Sequence, residues 1–135
     1  MLVYGGASHN FIDIAMVERR HIPTVDFEGF LVEVVGGRTL ACDRYIPYMS
    51  LTLGRYTLTQ DFYVVDITDT NIILGVQWLS TLGPITTNYK TMEMSFNIEN
   101  GKRVTLKGMI GEAPKVVTTK RMHAIFRREE VSYEA

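Results

Sequence analysis

The chain has 135 residues, 46% of them hydrophobic and 21% charged, a composition that predicts one folded domain and excludes wholesale disorder. Its 14 basic and 15 acidic residues leave a net charge of -1, so there is no general attraction to nucleic acid or to an anionic membrane. The single cysteine, Cys42, excludes an intramolecular disulfide, and since no secretory signal or membrane-length apolar run is visible, we expect an intracellular protein, cytoplasmic by default.

The first predicted element is a short helix near the start of the chain. Ser8 or Asn10 could cap it, because a side-chain oxygen there can accept a backbone N–H of the first turn. Phe11, Ile14 and Ala15 would then lie on one face.

Most of the following sequence predicts short strands, because apolar and polar residues alternate between glycine-containing turns. Gly36-Gly37 suits the tip of a hairpin, and Asn100-Gly101 gives the strongest hairpin signal in the chain. Gly54 offers a further turn between two strands. The fold class is therefore mostly β. The predicted strand segments are 30–35, 38–42, 49–53, 56–65, 92–98 and 104–106, with the clearest alternation in 49–53 and 92–98.

Two further helical segments are predicted. One runs over residues 76–82 and ends at Gly83-Pro84. The other lies within residues 118–130, where Met122 and Phe126 share a helical face among basic residues. It is either a basic amphipathic helix for a partner or a membrane, or a linker that folds against its own domain.

Two segments carry a family resemblance. Residues 2–12 read LVYGGASHNFI, and residues 71–85 read NIILGVQWLSTLGPI. In this order they resemble the active-site loop and the apolar-apolar-Gly element of the retropepsin-like aspartic protease domain of plant Ty3/gypsy-type LTR retrotransposon polyproteins. The likeness extends to about Gly108.

The resemblance implies a retropepsin-like closed β-barrel half-fold with one or two short helices, N-terminally truncated because the family has strands upstream of the loop. Residues 1–108 would form the domain, and 109–135 a linker or tail with a short amphipathic helix. In this family the cleft forms between two subunits, so the resemblance also implies a homodimer. An unpaired strand edge would favour such pairing.

The active-site loop departs from the family pattern. Tyr4 stands where the resemblance places the catalytic aspartate, and Gly5 where it places a serine or threonine; the loop continues with Gly6, Ala7 and Ser8. Aspartic proteases need two carboxylates about 3 Å apart that share one proton. A phenol, with a reference pKa of about 10, is a poor base at neutral pH. We therefore expect no catalytic residue in this loop.

The remaining site positions also take their roles from the resemblance. Residues 30–44 align with the flap that closes over substrate in active relatives, although an ordinary surface hairpin is an equal alternative. The second motif would thread beside the active-site loop, with its tryptophan as a core or interface anchor. The flap-tip residues are Val35, Gly36, Gly37 and Arg38, and those of the second motif are Ile73, Leu74, Gly75 and Trp78.

Other chemistries find little support in the sequence. Ser8, His9 and Asn10 are adjacent, but a nucleophile triad is assembled in space, so loop hydrogen bonding and helix capping are the preferred interpretation. Cys42 lacks a histidine with the local context of a cysteine protease. The three histidines lack metal-ligand spacing and no phosphate-binding loop is present, so we expect no metal or cofactor.

The sequence thus predicts a catalytically inactive retropepsin-like domain, a pseudoenzyme that acts as a dimerising interaction module. The expected partner is a second copy; the alternatives are another protein or an intact retropepsin subunit, and neither nucleic acid nor membrane is expected. One rival is an active aspartic endopeptidase that processes a retrotransposon polyprotein with a different acid, for which Asp13 is nearest. A polyprotein fragment without a selected role is the other.

Overall fold

Strands make up most of the chain that the structure describes. The computed structural model describes residues 1–34, 37–67, 70–108 and 121–122. The predicted mostly-β class with short helices is confirmed. The helices are α1 (Ile14–Arg19) and α2 (Val76–Leu79), and a 3-10 turn spans Glu99–Gly101. The strands are β1 (Leu2–Val3), β2 (Phe11–Asp13), β3 (Val25–Val34), β4 (Thr39–Leu53), β5 (Tyr56–Val65), β6 (Ile72–Leu74), β7 (Ile85–Asn88), β8 (Glu93–Asn97), β9 (Arg103–Lys107) and β10 (Arg121–Met122).

The strands form two sheets. The larger has the order β1-β6-β2-β5-β4-β3-β10, and the smaller has the order β7-β8-β9. The closed barrel implied by the resemblance is not formed by the described residues, because closure requires the two edge strands of a sheet to pair with each other. Here the edge strands β1 and β10 pair only with β6 and β3, and each has two residues.

The predicted hairpins are confirmed. β3 pairs with β4 in the register Phe30↔Cys42, β4 pairs with β5 across the turn at Gly54, and β8 pairs with β9. Positive φ angles at Gly54, Asn100 and Gly101 give the backbone the left-handed conformation that tight turns require.

The first predicted helix begins later than expected. Phe11 lies in β2, which pairs with β5 on one side and β6 on the other, so sheet pairing rather than a helix satisfies its backbone. α1 starts at Ile14, and its N-cap position is Asp13 rather than Ser8 or Asn10. The second helix is shorter than predicted, although the Leu82 N–H still donates to the Leu79 carbonyl at 3.2 Å.

Two apolar clusters lie on opposite sides of the larger sheet. Along β5, Leu58, Phe62 and Val64 point into one cluster, whereas Tyr63 and Val65 point into the other. The first, called the central core, is where the smaller sheet packs. The second, called the loop cluster, holds the loop after β1. The buried members of the loop cluster are Leu2, Tyr4, Ala7, Phe11, Val32, Cys42, Val65, Ile67 and Ile73.

Some predictions fall on positions that are not described. The amphipathic helix within 118–130 lies outside the described residues except for Arg121 and Met122, which are extended and pair in parallel with Glu33 and Val34. Within the described chain, neither helix has the length and apolar character needed to cross a membrane.

Candidate functional site

The loop between β1 and β2 is fixed at its start by the neighbouring strand. The Tyr4 N–H donates to the Leu74 carbonyl at 2.9 Å, which continues the parallel pairing of β1 with β6. The Ala7 N–H then donates back to the Tyr4 carbonyl at 3.2 Å, so Gly5 and Gly6 form a tight turn. This places Tyr4 at the first position of a rigid turn.

The second motif lies against this loop, as the resemblance implied. The Gly75 N–H donates to Oδ1 of Asn10 at 2.9 Å, and the Val76 N–H donates to the Ala7 carbonyl at 2.8 Å. A side-chain carbon at position 75 would collide with the carbonyl oxygens of Ala7 and His9, so only glycine permits this approach.

Only part of the predicted second motif lies in the same apolar cluster as the Tyr4 loop. Ile73 is a member of the loop cluster, whereas Leu74 and Trp78 lie in the central core on the other side of the sheet. The Trp78 indole N–H donates to the Tyr56 hydroxyl at 3.1 Å and the ring is fully buried. Of the two roles considered for Trp78, core packing is therefore the one seen in the isolated chain.

The Tyr4 side chain is buried. It is 3% exposed within the loop cluster, and its hydroxyl has no hydrogen-bond partner among the residues that the structure describes. Loss of hydration raises the pKa of the Tyr4 phenol above its usual value, because burial penalises the phenolate. The side chain is thus a neutral phenol at physiological pH.

The nearest acid in the sequence, Asp13, has a structural role. Its Oδ1 accepts the Ile67 N–H at 2.8 Å. Burial raises the pKa of the Asp13 carboxyl, and the hydrogen bond from Ile67 partly opposes that shift. Asp13 therefore connects the end of β2 to the segment after β5 and stands at the head of α1.

Ser8 and His9 are in contact, but within the described part of the chain no third group completes a triad. The Ser8 hydroxyl lies 2.8 Å from Nδ1 of His9. The Asn10 side chain points elsewhere, toward the Gly75 N–H and the Asp61 carbonyl. The expected loop hydrogen bonding is therefore present, whereas the expected helix capping by Ser8 or Asn10 is wrong.

Comparison with known families decides the identity of this fold. The family model of the PEG10/RTL1 protease domain matches residues 1–104. The chain belongs to this retropepsin-like, retrotransposon-derived family. Neither a search of curated proteins nor a search of solved structures gave a significant match. The retropepsin-like assignment made from the two motifs is confirmed at the level of the family.

In this PEG10/RTL1-type protease domain, the β3–β4 hairpin, which the resemblance aligns with the flap, packs onto the Tyr4 loop. Val32 of β3 and Cys42 of β4 are buried in the same cluster as Tyr4. At the predicted tip, Val35 and Gly36 lie outside the described residues, whereas Gly37 has a φ of +83° and Arg38 is exposed. The two strands of this hairpin thus share a buried apolar cluster with the Tyr4 loop.

Sequence reasoning missed a group of stacked rings beside this loop, the aromatic cluster. The His9 ring stacks on Phe30 at 5.3 Å and meets Tyr63 edge-on at 5.2 Å. Burial here lowers the pKa of His9 because the charged imidazolium loses hydration. The cluster comprises His9, Phe11, Phe27, Phe30, Tyr45 and Tyr63.

A bulge explains why strand alternation did not reveal this group. Phe27 and Phe30 are three residues apart, a spacing that puts two side chains on opposite faces of a regular strand. The register of β3 against β4 shifts between Asp26 and Phe30, and Gly29 has a φ of +93° there. The rings therefore meet on one face, with centroids 5.7 Å apart.

Other candidate chemistry in the described part of the domain is limited. Cys42 is a buried free thiol whose pKa is raised by burial, so it is a poor nucleophile. No group of three or more His, Cys, Asp or Glu side chains among the described residues could hold a metal ion.

Proposed function

We propose that this PEG10/RTL1-type protease domain is catalytically inactive and acts as a dimerising protein–protein interaction module of plant Ty3/gypsy-type origin. The observation that carries the proposal is the buried, neutral Tyr4 at the position that the family resemblance assigns to the catalytic aspartate. The proposed plant origin rests on the resemblance of the residues in the two motifs, 2–12 and 71–85, to those of the plant family.

The chemistry of the family supports inactivity. Aspartic proteases activate water with a pair of carboxylates that share one proton. The turn from Tyr4 to Ser8 contains no carboxyl group, so a symmetric pair of these loops would contribute none. A buried phenol without a hydrogen-bond partner can neither accept the proton of water nor orient it at neutral pH.

The rival function, an active aspartic endopeptidase, needs an acid from elsewhere. Asp13 would have to leave the Ile67 N–H and its place at the head of α1. Breaking a buried hydrogen bond of a carboxyl group costs roughly 1.5–3 kcal/mol. The observed geometry therefore favours the inactive module.

Exposed apolar side chains and strand edges support association. Leu31 on β3 is 72% exposed and Tyr48 on β4 is 80% exposed. β1 lies at one edge of the larger sheet, where its outer backbone groups can pair with a further strand. A second copy that covered such surfaces would bury apolar area and satisfy edge hydrogen bonds.

Inactivity is tested by a cleavage assay. The purified protein is incubated with unfolded casein and with its own precursor from about pH 4 to about pH 7, the range above the reference pKa of aspartate. An active retropepsin serves as positive control. We expect no cleavage; cleavage blocked by a transition-state-mimicking aspartic protease inhibitor would show that the domain is an enzyme.

Dimerisation is tested separately by light scattering across a concentration series. We expect the mass of a homodimer. A monomeric mass at a concentration on the order of tens of micromolar, well above the Kd of a stable dimer, would contradict the dimer while leaving inactivity intact.

A further inference from the structure

A concave surface lies on the side of the larger sheet opposite the Tyr4 loop. It is a cavity of about 700 Å³ between the β4–β5 turn and β9. Leu53 and Leu106, which line it, belong to the central core, on the opposite side of the larger sheet from the loop cluster. The remaining lining residues are Arg55, Tyr56, Ile98, Lys102, Arg103, Val104, Thr105 and Lys107.

The groove follows the free edge of β9. Its lining includes the successive residues 102–107 but none from β8, so it runs along the side of β9 that faces away from β8. Among the residues that the structure describes, β9 is an edge strand of the smaller sheet, with β8 as its one partner. A groove at a strand edge offers backbone hydrogen bonds as well as side-chain contacts.

The register of β8 and β9 identifies the free backbone groups. The Ile98 N–H donates to the Lys102 carbonyl and the Gly108 N–H donates to the Met92 carbonyl. In an antiparallel pair, hydrogen-bonded positions alternate along the strand, so the even-numbered residues of β9 bond to β8. The N–H and C=O groups of Arg103, Thr105 and Lys107 therefore point away from β8, along the groove.

The groove is basic at its rim and apolar at its floor. Arg55 and Lys102 are exposed and have no acidic partner among the described residues, and the Arg103 guanidinium donates to the amide oxygen of Asn97 at 3.4 Å. Lys107 is engaged by Glu93 at 3.4 Å. The floor is formed by Leu53, Tyr56, Ile98, Val104 and Leu106.

We propose that this groove binds an extended peptide segment of another protein, which adds as a strand to the free edge of β9. Backbone hydrogen bonds to Arg103, Thr105 and Lys107 would hold the segment about 4.8 Å from β9. The positive rim selects acidic side chains, and the floor takes apolar side chains at alternate positions. The site is separate from the Tyr4 loop, so it stands whether or not that loop is catalytic, and it is compatible with a dimer that forms through any surface other than this edge.

The experiment uses a fluorescein-labelled seven-residue peptide in which glutamate alternates with valine, and a matched peptide with lysine in place of glutamate. Anisotropy titrations with the full chain measure both. We expect saturable binding of the glutamate peptide and at least about tenfold weaker binding of the lysine peptide, a difference of about 1.4 kcal/mol. Equal binding of the two peptides, or none of the glutamate peptide, would overturn the proposal.

Two variants test the mode of binding. Thr105→Pro removes an N–H that faces the groove and leaves the β8 ladder intact, a position where an edge strand tolerates proline. Thr105→Ala is the matched control, because it loses the same contact to Ser95 but keeps the N–H. We expect Thr105→Pro to weaken peptide binding at least about tenfold relative to Thr105→Ala. Equal binding by the two would exclude strand addition.

A charge variant and a mass measurement complete the test. The double variant Arg55→Glu with Lys102→Glu should abolish binding of the glutamate peptide. If circular dichroism shows that Thr105→Pro does not fold, this double variant is the deciding test, and unchanged peptide binding by it would contradict the proposal. Light scattering on the same samples reports self-association. If Thr105→Pro breaks a dimer, and neither the unmodified chain nor Thr105→Ala binds the peptide, the edge of β9 pairs with a second copy and the proposal is wrong.

Discussion

The phenol ring of Tyr4 lies over the Cα of Gly6 so closely that a side-chain carbon at position 6 would overlap the ring and its hydroxyl oxygen. Because Tyr4 is buried in the loop cluster, the ring has little room to move aside. The glycine of the turn and the tyrosine that precedes it therefore fit together as a pair. This turn accommodates an aromatic ring where the family resemblance places a carboxylate.

The Tyr4–Gly6 contact predicts an unequal response to alanine in the turn. Gly6→Ala should lower the free energy of unfolding by about 1–3 kcal/mol, the usual cost of overpacking. Gly5→Ala is the control, since a side-chain carbon there meets nothing within 4 Å. We expect it to change stability by less than about 0.5 kcal/mol. Urea unfolding measures both, and equal losses would argue against the contact.

Because the Tyr4 hydroxyl is unpaired among the described residues, we expect its removal not to lower the free energy of unfolding. An unsatisfied buried polar group costs about 1–3 kcal/mol, so Tyr4→Phe should leave stability unchanged or raise it. Tyr56→Phe is the matched variant: its hydroxyl accepts the Trp78 indole N–H, and its loss should cost about 1 kcal/mol. Thermal unfolding should show a lower Tm for Tyr56→Phe and an unchanged or higher Tm for Tyr4→Phe. A lower Tm for Tyr4→Phe would indicate a polar partner for that hydroxyl.

The lowered pKa of His9 predicts a loss of stability in mild acid. Below the ordinary histidine pKa of 6.5, the unfolded chain binds a proton that the folded chain resists, so the free energy of unfolding falls as pH decreases through that window. His9→Asn should flatten this dependence. His21→Asn is the control, because His21 is exposed and lies outside the aromatic cluster. Identical pH profiles for all three proteins would refute the prediction.

Strand pairing could be predicted from the sequence where it depended on local patterns. Alternation in β4, β8 and β9 and the three turns predicted at Gly36-Gly37, Gly54 and Asn100-Gly101 determine which side chains are buried and where the chain reverses. These signals lie within a few residues of each other. They gave the three hairpins without any knowledge of the rest of the chain.

Features that depended on distant pairing could not be predicted in this way. Phe11 carried a helical pattern, yet β5 and β6 pair with its strand on both sides and override that local preference. The bulge at Gly29 changed which face Phe27 occupies; a glycine inside a strand is a signal for a bulge, but it does not specify how the register shifts. The fit of Tyr4 over Gly6 is a packing detail that the motif alone does not contain.

The proposed inactivity and the proposed dimerisation together predict that this chain inhibits active relatives. If its dimer surface matches that of an intact retropepsin subunit, mixed dimers form, each with one aspartate and one Tyr4. A lone aspartate has no partner with which to share the proton, so water activation fails. With equal amounts and equal affinities, about half of all dimers would be mixed, so cleavage should fall further as this chain is added in excess.

Titration into an active plant retropepsin measures this inhibition through peptide cleavage. The loss of activity should follow subunit exchange and be insensitive to substrate concentration, because the inhibitor replaces a subunit rather than competing for the cleft. A covalently linked, single-chain dimer of the same protease is the control: its subunits cannot exchange, so its rate should stay constant. Equal inhibition of linked and unlinked enzymes would point to binding in the cleft instead. An unchanged rate at large excess, with no mixed species in native mass spectrometry, would rule out subunit exchange, since mass action requires mixed dimers wherever the surfaces are compatible.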